Sequence, residues 1–136
     1  MMIEKDFVYA AGFFDGEGCV YVTTLKHKHY LGGVTLYLAL AVGNTNKAVL
    51  EWLQETFGGK LYLHKRVERR KPYWRWQLDR AHTTSFLKGV LPYLKIKQEQ
   101  ALLAIEFQSY KFHKGRKTFK RERQEEIRRE LQRLKR

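Results

Sequence analysis

The chain has 136 residues, which is enough for one compact core and too few for a second full domain. Lys and Arg number 27 against 14 Asp and Glu, so the net charge of +13 points to a polyanionic partner; 43% hydrophobic and 14% aromatic residues exclude a disordered basic tail protein. No run reaches the ~18 to 20 apolar residues of a membrane helix, and the opening MMIEKD lacks a signal-peptide apolar run, so neither a membrane protein nor a secreted one is expected.

Residues 6–16 predict a short helix: Asp6 can cap it, Phe7, Ala10, Ala11 and Phe14 follow helical spacing, and Gly16 can stop it. From residue 19 to 24 the period changes to two, with Val20 and Val22 on one face and Tyr21 and Thr23 on the other, as in a half-buried strand. Cys19, the only cysteine, excludes an intrachain disulfide and a cysteine-based zinc site; the expected home is a reducing intracellular compartment, cytoplasm or organelle matrix. After the Gly32-Gly33 turn, Val34, Leu36, Leu38, Leu40 and Val42 alternate with Thr35, Tyr37, Ala39, Ala41 and Gly43 in a long second strand. Residues 44–57 predict an amphipathic helix ended by Gly58-Gly59.

Two strands follow, Leu61 and Leu63 alternating with Tyr62, His64 and Arg66, then Trp74, Trp76 and Leu78 alternating with Tyr73, Arg75 and Gln77. Trp52, Trp74 and Trp76 are expected in the core because their neighbours in the pattern are apolar. Helices are predicted over 82–91, stopped before Pro92, and over 98–112; Ile127, Leu131 and Leu134 put an apolar stripe on a charged final helix that lies on the body. The expected class is α+β, an antiparallel four-stranded sheet with helices on one face and the polar face free for a ligand. One domain accounts for the chain, with a core over 1–112 and a basic helical tail over 113–136.

The stretch Ala10-Ala11-Gly12-Phe13-Phe14-Asp15-Gly16-Glu17-Gly18 carries the chemistry. Its small residues allow another helix to approach closely. Its acids sit at a helix C-terminus, where the macrodipole disfavours negative charge, so a cation is the natural compensation. A carboxylate beside a glycine carbonyl and phosphate oxygens suits Mg²⁺. Position by position the stretch resembles the LAGLIDADG motif: small, small, Gly, apolar, apolar, acid, small, acid, Gly. The element order resembles the single-motif LAGLIDADG homing endonucleases from residue 6 to about 112.

The resemblance implies an αββαββα fold with a saddle-shaped sheet. It implies Glu17 as catalytic metal ligand with the Gly16 carbonyl beside it, Mg²⁺ as cofactor with Mn²⁺ substituting, and a structural Asp15. Asn44 matches the family's water-ordering Gln or Asn and Lys97 its basic residue, whereas Ala48, next to Lys47, stands where another basic residue is common. With a single motif the chain holds half a site, so a homodimer is implied, paired through Ala10, Ala11, Gly12 and Phe13 on a near-palindromic duplex.

The implied partner is double-stranded DNA, with no small-molecule substrate, and the implied gene is intron-encoded. The polar face offers Tyr21, Thr23, His27, Thr35, Tyr37, Tyr62, His64, Arg66, Arg75 and Gln77 to the major groove, Arg66 and Arg75 to guanine and Gln77 to adenine. Arg69, Arg70 and Lys71 are assigned to phosphates. The tail residues Lys114, Arg116, Lys117, Lys120 and Arg121 serve either as further phosphate contacts or as a solvated helix face. Two rivals stay open: an RNA maturase of the same fold, and a non-cleaving nucleic-acid-binding protein, for which no metal requirement is expected.

Overall fold

The structure is a computed structural model and describes residues 3–26, 34–64, 72–110 and 121–135. Helix α1 (Glu4–Glu17) runs straight into β1 (Gly18–Lys26), followed by β2 (Val34–Asn44) and α2 (Lys47–Phe57). Next come β3 (Lys60–His64), β4 (Tyr73–Asp79), α3 (Arg80–Val90) and a 3₁₀ turn (Leu91–Tyr93). Helices α4 (Gln98–Ser109) and α5 (Arg121–Leu134) close the chain. The expected helix, strand, strand, helix, strand, strand, helix order is present, and the strands form one antiparallel sheet in the order β1-β2-β4-β3.

Element ends shift for local reasons. Asp6 lies inside α1 and not at its cap: its carboxylate reaches back to accept from the Ile3 backbone N–H at 3.3 Å, satisfying a donor that the first turn leaves over. Helix α2 begins at Lys47 because Asn46 is its cap, accepting from the Val49 N–H at 3.2 Å, which leaves Asn44 as the last residue of β2. The α2 stop needs glycine. Gly58 and Gly59 have φ of +80° and +94°, and a Cβ on Gly59 would lie 2.5 Å from the Gln77 carbonyl oxygen.

One sheet face builds the core: Val20, Val22, Leu36, Leu38, Leu40, Val42, Trp76 and Leu78 meet Phe14, Leu50, Leu53, Phe86, Leu87, Val90 and Phe107 from the helices. Trp76 is fully buried and donates its indole N–H to the Gly58 carbonyl at 2.7 Å, while Trp52 and Trp74 pack against the cluster from its margin. Among the described residues the other sheet face carries no helix layer.

Helix α5 buries Ile127 and Leu131 and lies beside β1, an edge strand whose unpaired backbone would otherwise invite pairing with another chain. Its start is fastened where Arg121 donates to the Val34 carbonyl at 3.3 Å, its end where Gln100 donates to the Leu134 carbonyl at 3.2 Å. Between them the Arg123 guanidinium grips Glu106 of α4 with two bonds, 2.7 and 2.8 Å. Among the described residues no helix is long and apolar enough to cross a membrane.

Candidate functional site

Pairing registers decide which polar side chains share the open face. Tyr21 stands opposite Ala39, itself opposite Asp79; Cys19, Ala41, Gln77 and Lys60 form the next row; Gly43, Arg75 and Tyr62 the row after that. Thr23 pairs with Tyr37, and His64 with Tyr73. Tyr21, Thr23, Thr35, Tyr37, Tyr62, His64, Arg75 and Gln77 therefore lie on one surface, because side chains alternate across a strand. His27, Arg66, Arg69, Arg70 and Lys71, and with them the tail residues Lys114, Arg116, Lys117 and Lys120, lie outside the described residues.

The middle strand leaves a floor without bulk at Ala39, Ala41 and Gly43. Across it the Arg75 guanidinium donates to the Tyr21 hydroxyl at 2.7 Å and lies 5.8 Å from the Tyr21 ring centre. Burial pushes the Tyr21 phenol above its ordinary pKa while Arg75 acts in the opposite direction, so the phenol is neutral at physiological pH and accepts this bond. The Tyr73 hydroxyl covers Gly43: a Cβ there would come within 1.8 Å of it. Gln77, expected to face adenine, donates from its amide to Asp79 at 3.0 Å.

Glu17 ends α1 and is exposed, and among the described residues it makes no hydrogen bond or ion pair. It lines a depression of about 270 Å³ on the open face together with Tyr21, Gly43, Tyr73, Arg75 and Lys135. Gly18 makes the exit from the helix possible, since a Cβ would lie 2.1 Å from the Phe14 ring.

Asp15, two residues earlier, is buried, and its two carboxylate oxygens accept from the backbone N–H groups of Lys95 (2.7 Å) and Lys97 (3.0 Å). The Lys97 ammonium donates to the Asp15 carbonyl. This clamp fixes the start of α4 against the end of α1 and leaves Glu17 as the motif's open acid. Asn44 accepts from the Asn46 N–H at 2.7 Å. The β1–β2 register pairs Gly18 with Val42, which puts Asn44 level with the last turn of α1, yet neither Asn44 nor Lys97 lines the Glu17 depression. Ala48 is exposed, and the Lys47 ammonium sits 4.4 Å over the Trp74 ring.

The expected pairing surface needs correction. Ala10 and Ala11 are buried in the protomer's own core, so they are not open to a second helix. The open face of α1 carries Gly12 and Gly16, where an added Cβ would meet nothing within 4 Å, flanked by Val8 (47% exposed) and Tyr9 (57%). Phe13 is half-buried and stacks on Tyr9. Ile96, held beside the end of α1 by the bonds to Asp15 from its two neighbours, is 70% exposed.

Pattern reading missed Arg80, Tyr73 and Lys135. Arg80 has φ of +51° where β4 turns into α3, and its guanidinium lies 4.7 Å over the Tyr37 ring. No sequence signal marks a positive φ at an arginine. Lys135 is one cation among many in a basic tail, although its place just after the Leu131 and Leu134 stripe was readable.

Among the described residues no three His, Cys, Asp or Glu side chains cluster to hold a metal. What one protomer offers is the Glu17 carboxylate and neighbouring Gly16 carbonyl, hard oxygen donors of the type Mg²⁺ takes, short in number unless phosphate, water or a second copy completes the set.

Fold and site together define a four-stranded α+β domain whose motif helix delivers one exposed carboxylate to the edge of a polar sheet face. The family model for LAGLIDADG endonuclease matches residues 10–98, and the chain belongs to this family. No curated protein matches it. Solved structures share its fold. An archaeal intron-encoded homing endonuclease, I-Vdi141I, complexed with DNA, is similar with a TM-score of 0.74 at 21% identity, covering 96% of this chain and 84% of that one. The homing endonuclease I-CvuI, in complex with the I-CreI target in the presence of Mg, is similar with a TM-score of 0.68 at 21% identity over 98% and 96% of the two chains. For the homing endonuclease I-TnaI the values are 0.65, 21%, 99% and 95%.

Proposed function

We propose that two copies of this chain cut both strands of a long, near-palindromic DNA duplex by metal-dependent phosphodiester hydrolysis. The observation that carries this is Glu17: an exposed carboxylate that makes no hydrogen bond or ion pair among the described residues, at the helix end where the dipole opposes it, opening onto a polar sheet face beside Arg75 and Lys135. Glu17 and the Gly16 carbonyl would hold the ion, Mg²⁺ with Mn²⁺ substituting. When bound, it lowers the pKa of a water and offsets charge that develops on the phosphate.

The remaining work falls to the chain's own side chains. Lys97, kept beside α1 by Asp15, offsets negative charge at the cut, and Asn44 orders the attacking water through its amide. The open-face residues Tyr21, Thr23, Thr35, Tyr37, Tyr62, His64 and Gln77 line the duplex, with Arg80 added. Two protomers meet through the Gly12 and Gly16 side of α1, since a lone carboxylate serves one strand only. Residues 1–112 serve as the core and 113–136 as a tail of the same domain. A reducing compartment, cytoplasm or organelle matrix, suits the free Cys19.

The test is incubation with a library of near-palindromic duplexes in Mg²⁺ or in EDTA, repeated with Glu17→Gln. Cutting in Mg²⁺ alone, lost in Glu17→Gln with duplex binding retained, is expected. Cutting by Glu17→Gln would overturn the assignment, and binding without cutting by the unaltered chain would favour the non-cleaving alternative.

A further inference from the structure

We infer that Arg75 and Lys135, set in place by Tyr21, hold a DNA backbone phosphate next to Glu17, which makes Arg75 a phosphate contact and not a reader of guanine. This rests on the duplex lying against the open sheet face. Reading guanine through O6 and N7 needs a guanidinium that stands out from the sheet with two N–H groups free in parallel. Arg75 does the opposite. It is half-buried and lies along the sheet above Ala41 and Gly43, with one terminal nitrogen spent on the Tyr21 hydroxyl at 2.7 Å.

Lys135 approaches the same ring, its ammonium 5.6 Å from the Tyr21 centre. Two cations thus converge on one tyrosine, and among the described residues neither forms an ion pair with a carboxylate. Both line the depression that Glu17 opens into, floored by Gly43 and overhung by the Tyr73 side chain. Two cations around a recess recruit an anion, and on a duplex-facing surface the available anion is the backbone phosphate. The register that puts Gly43 opposite Arg75 makes this possible, because any larger side chain there would fill the space.

The full-length protein is titrated against a bound duplex over a range of NaCl in EDTA, and bound library members are sequenced for base preference. Arg75→Gln and Lys135→Gln are each expected to reduce the slope of log K against log salt by about 2 for a dimer, one contact per copy, with base preference unchanged. Arg75→Lys keeps the charge and is expected to keep the slope. Lys135 is exposed at a helix end, so its variant folds even if the Arg75 ones do not. A changed preference at one base pair per half-site with an unchanged slope would make Arg75 a base reader and overturn the proposal, as would no change in either quantity. These readouts need no cleavage, so a failure of Glu17 as metal ligand leaves them intact, whereas absence of duplex binding by the unaltered chain would overturn both readings.

Discussion

Asp15 and Glu17 are chemically alike and two positions apart, yet packing gives them opposite work. Asp15 spends both oxygens on the backbone N–H groups of Lys95 and Lys97; Glu17 makes no hydrogen bond or ion pair among the described residues and lines the open depression. Replacing Asp15 with Ala would strand two donors in a partly buried site, at a cost of about 1–3 kcal/mol each. Urea unfolding of Asp15→Ala is expected to show a lower midpoint with unchanged slope, and Glu17→Gln a midpoint close to that of the unaltered chain. A stability loss from Glu17→Gln as large as that from Asp15→Ala would mean that Glu17 carries structure. The motif pattern made both acids visible. Which of them is spent depends on residues 80 positions away, and no local pattern reports that.

Among the elements, α5 is the one whose role depends most on a few side chains. Ile127 and Leu131 are its buried anchors, and without them a highly charged helix has little reason to stay on the body. Leu131→Ala is expected to cost about 2–5 kcal/mol in urea unfolding, by transfer and cavity terms. It should also weaken duplex binding, because Lys135 leaves the Tyr21 ring when the helix end loosens. Unchanged stability would show that α5 is not packed as described. The stripe at 127, 131 and 134 was legible from helical spacing alone, and so were the alternating strands. Helix starts were less so, since Asp6 looked like a cap and the second helix was expected from 44, while Ile3 and Asn46 hold the cap positions.

At the scale of the molecule, residues 7–14 of α1 are all apolar, aromatic or small, and their period cannot tell which side faces its own core. Ala10, Ala11 and Phe14 take the inner side, leaving Val8, Gly12 and Gly16 outward. Gly12→Leu tests the pairing. An added side chain meets nothing in the protomer and leucine favours helix over glycine by roughly 1 kcal/mol, so the fold should be kept or slightly stabilised. In gel filtration with and without duplex, the unaltered protein is expected as a dimer and Gly12→Leu as a monomer that no longer cuts both strands. A dimer that survives Gly12→Leu would place the pairing surface elsewhere.

By itself the sequence determined the element types, the two sheet faces, the basic character and the acidic helix end, all of which arise from interactions a few residues long. Tertiary structure decided the rest. Strand order β1-β2-β4-β3 brings Arg75 to Tyr21 across 54 positions, seats Lys135 beside them, and buries the alanines that looked free to pair. Those outcomes depend on which faces pack together, and a period in the sequence tells that a face exists without telling what covers it.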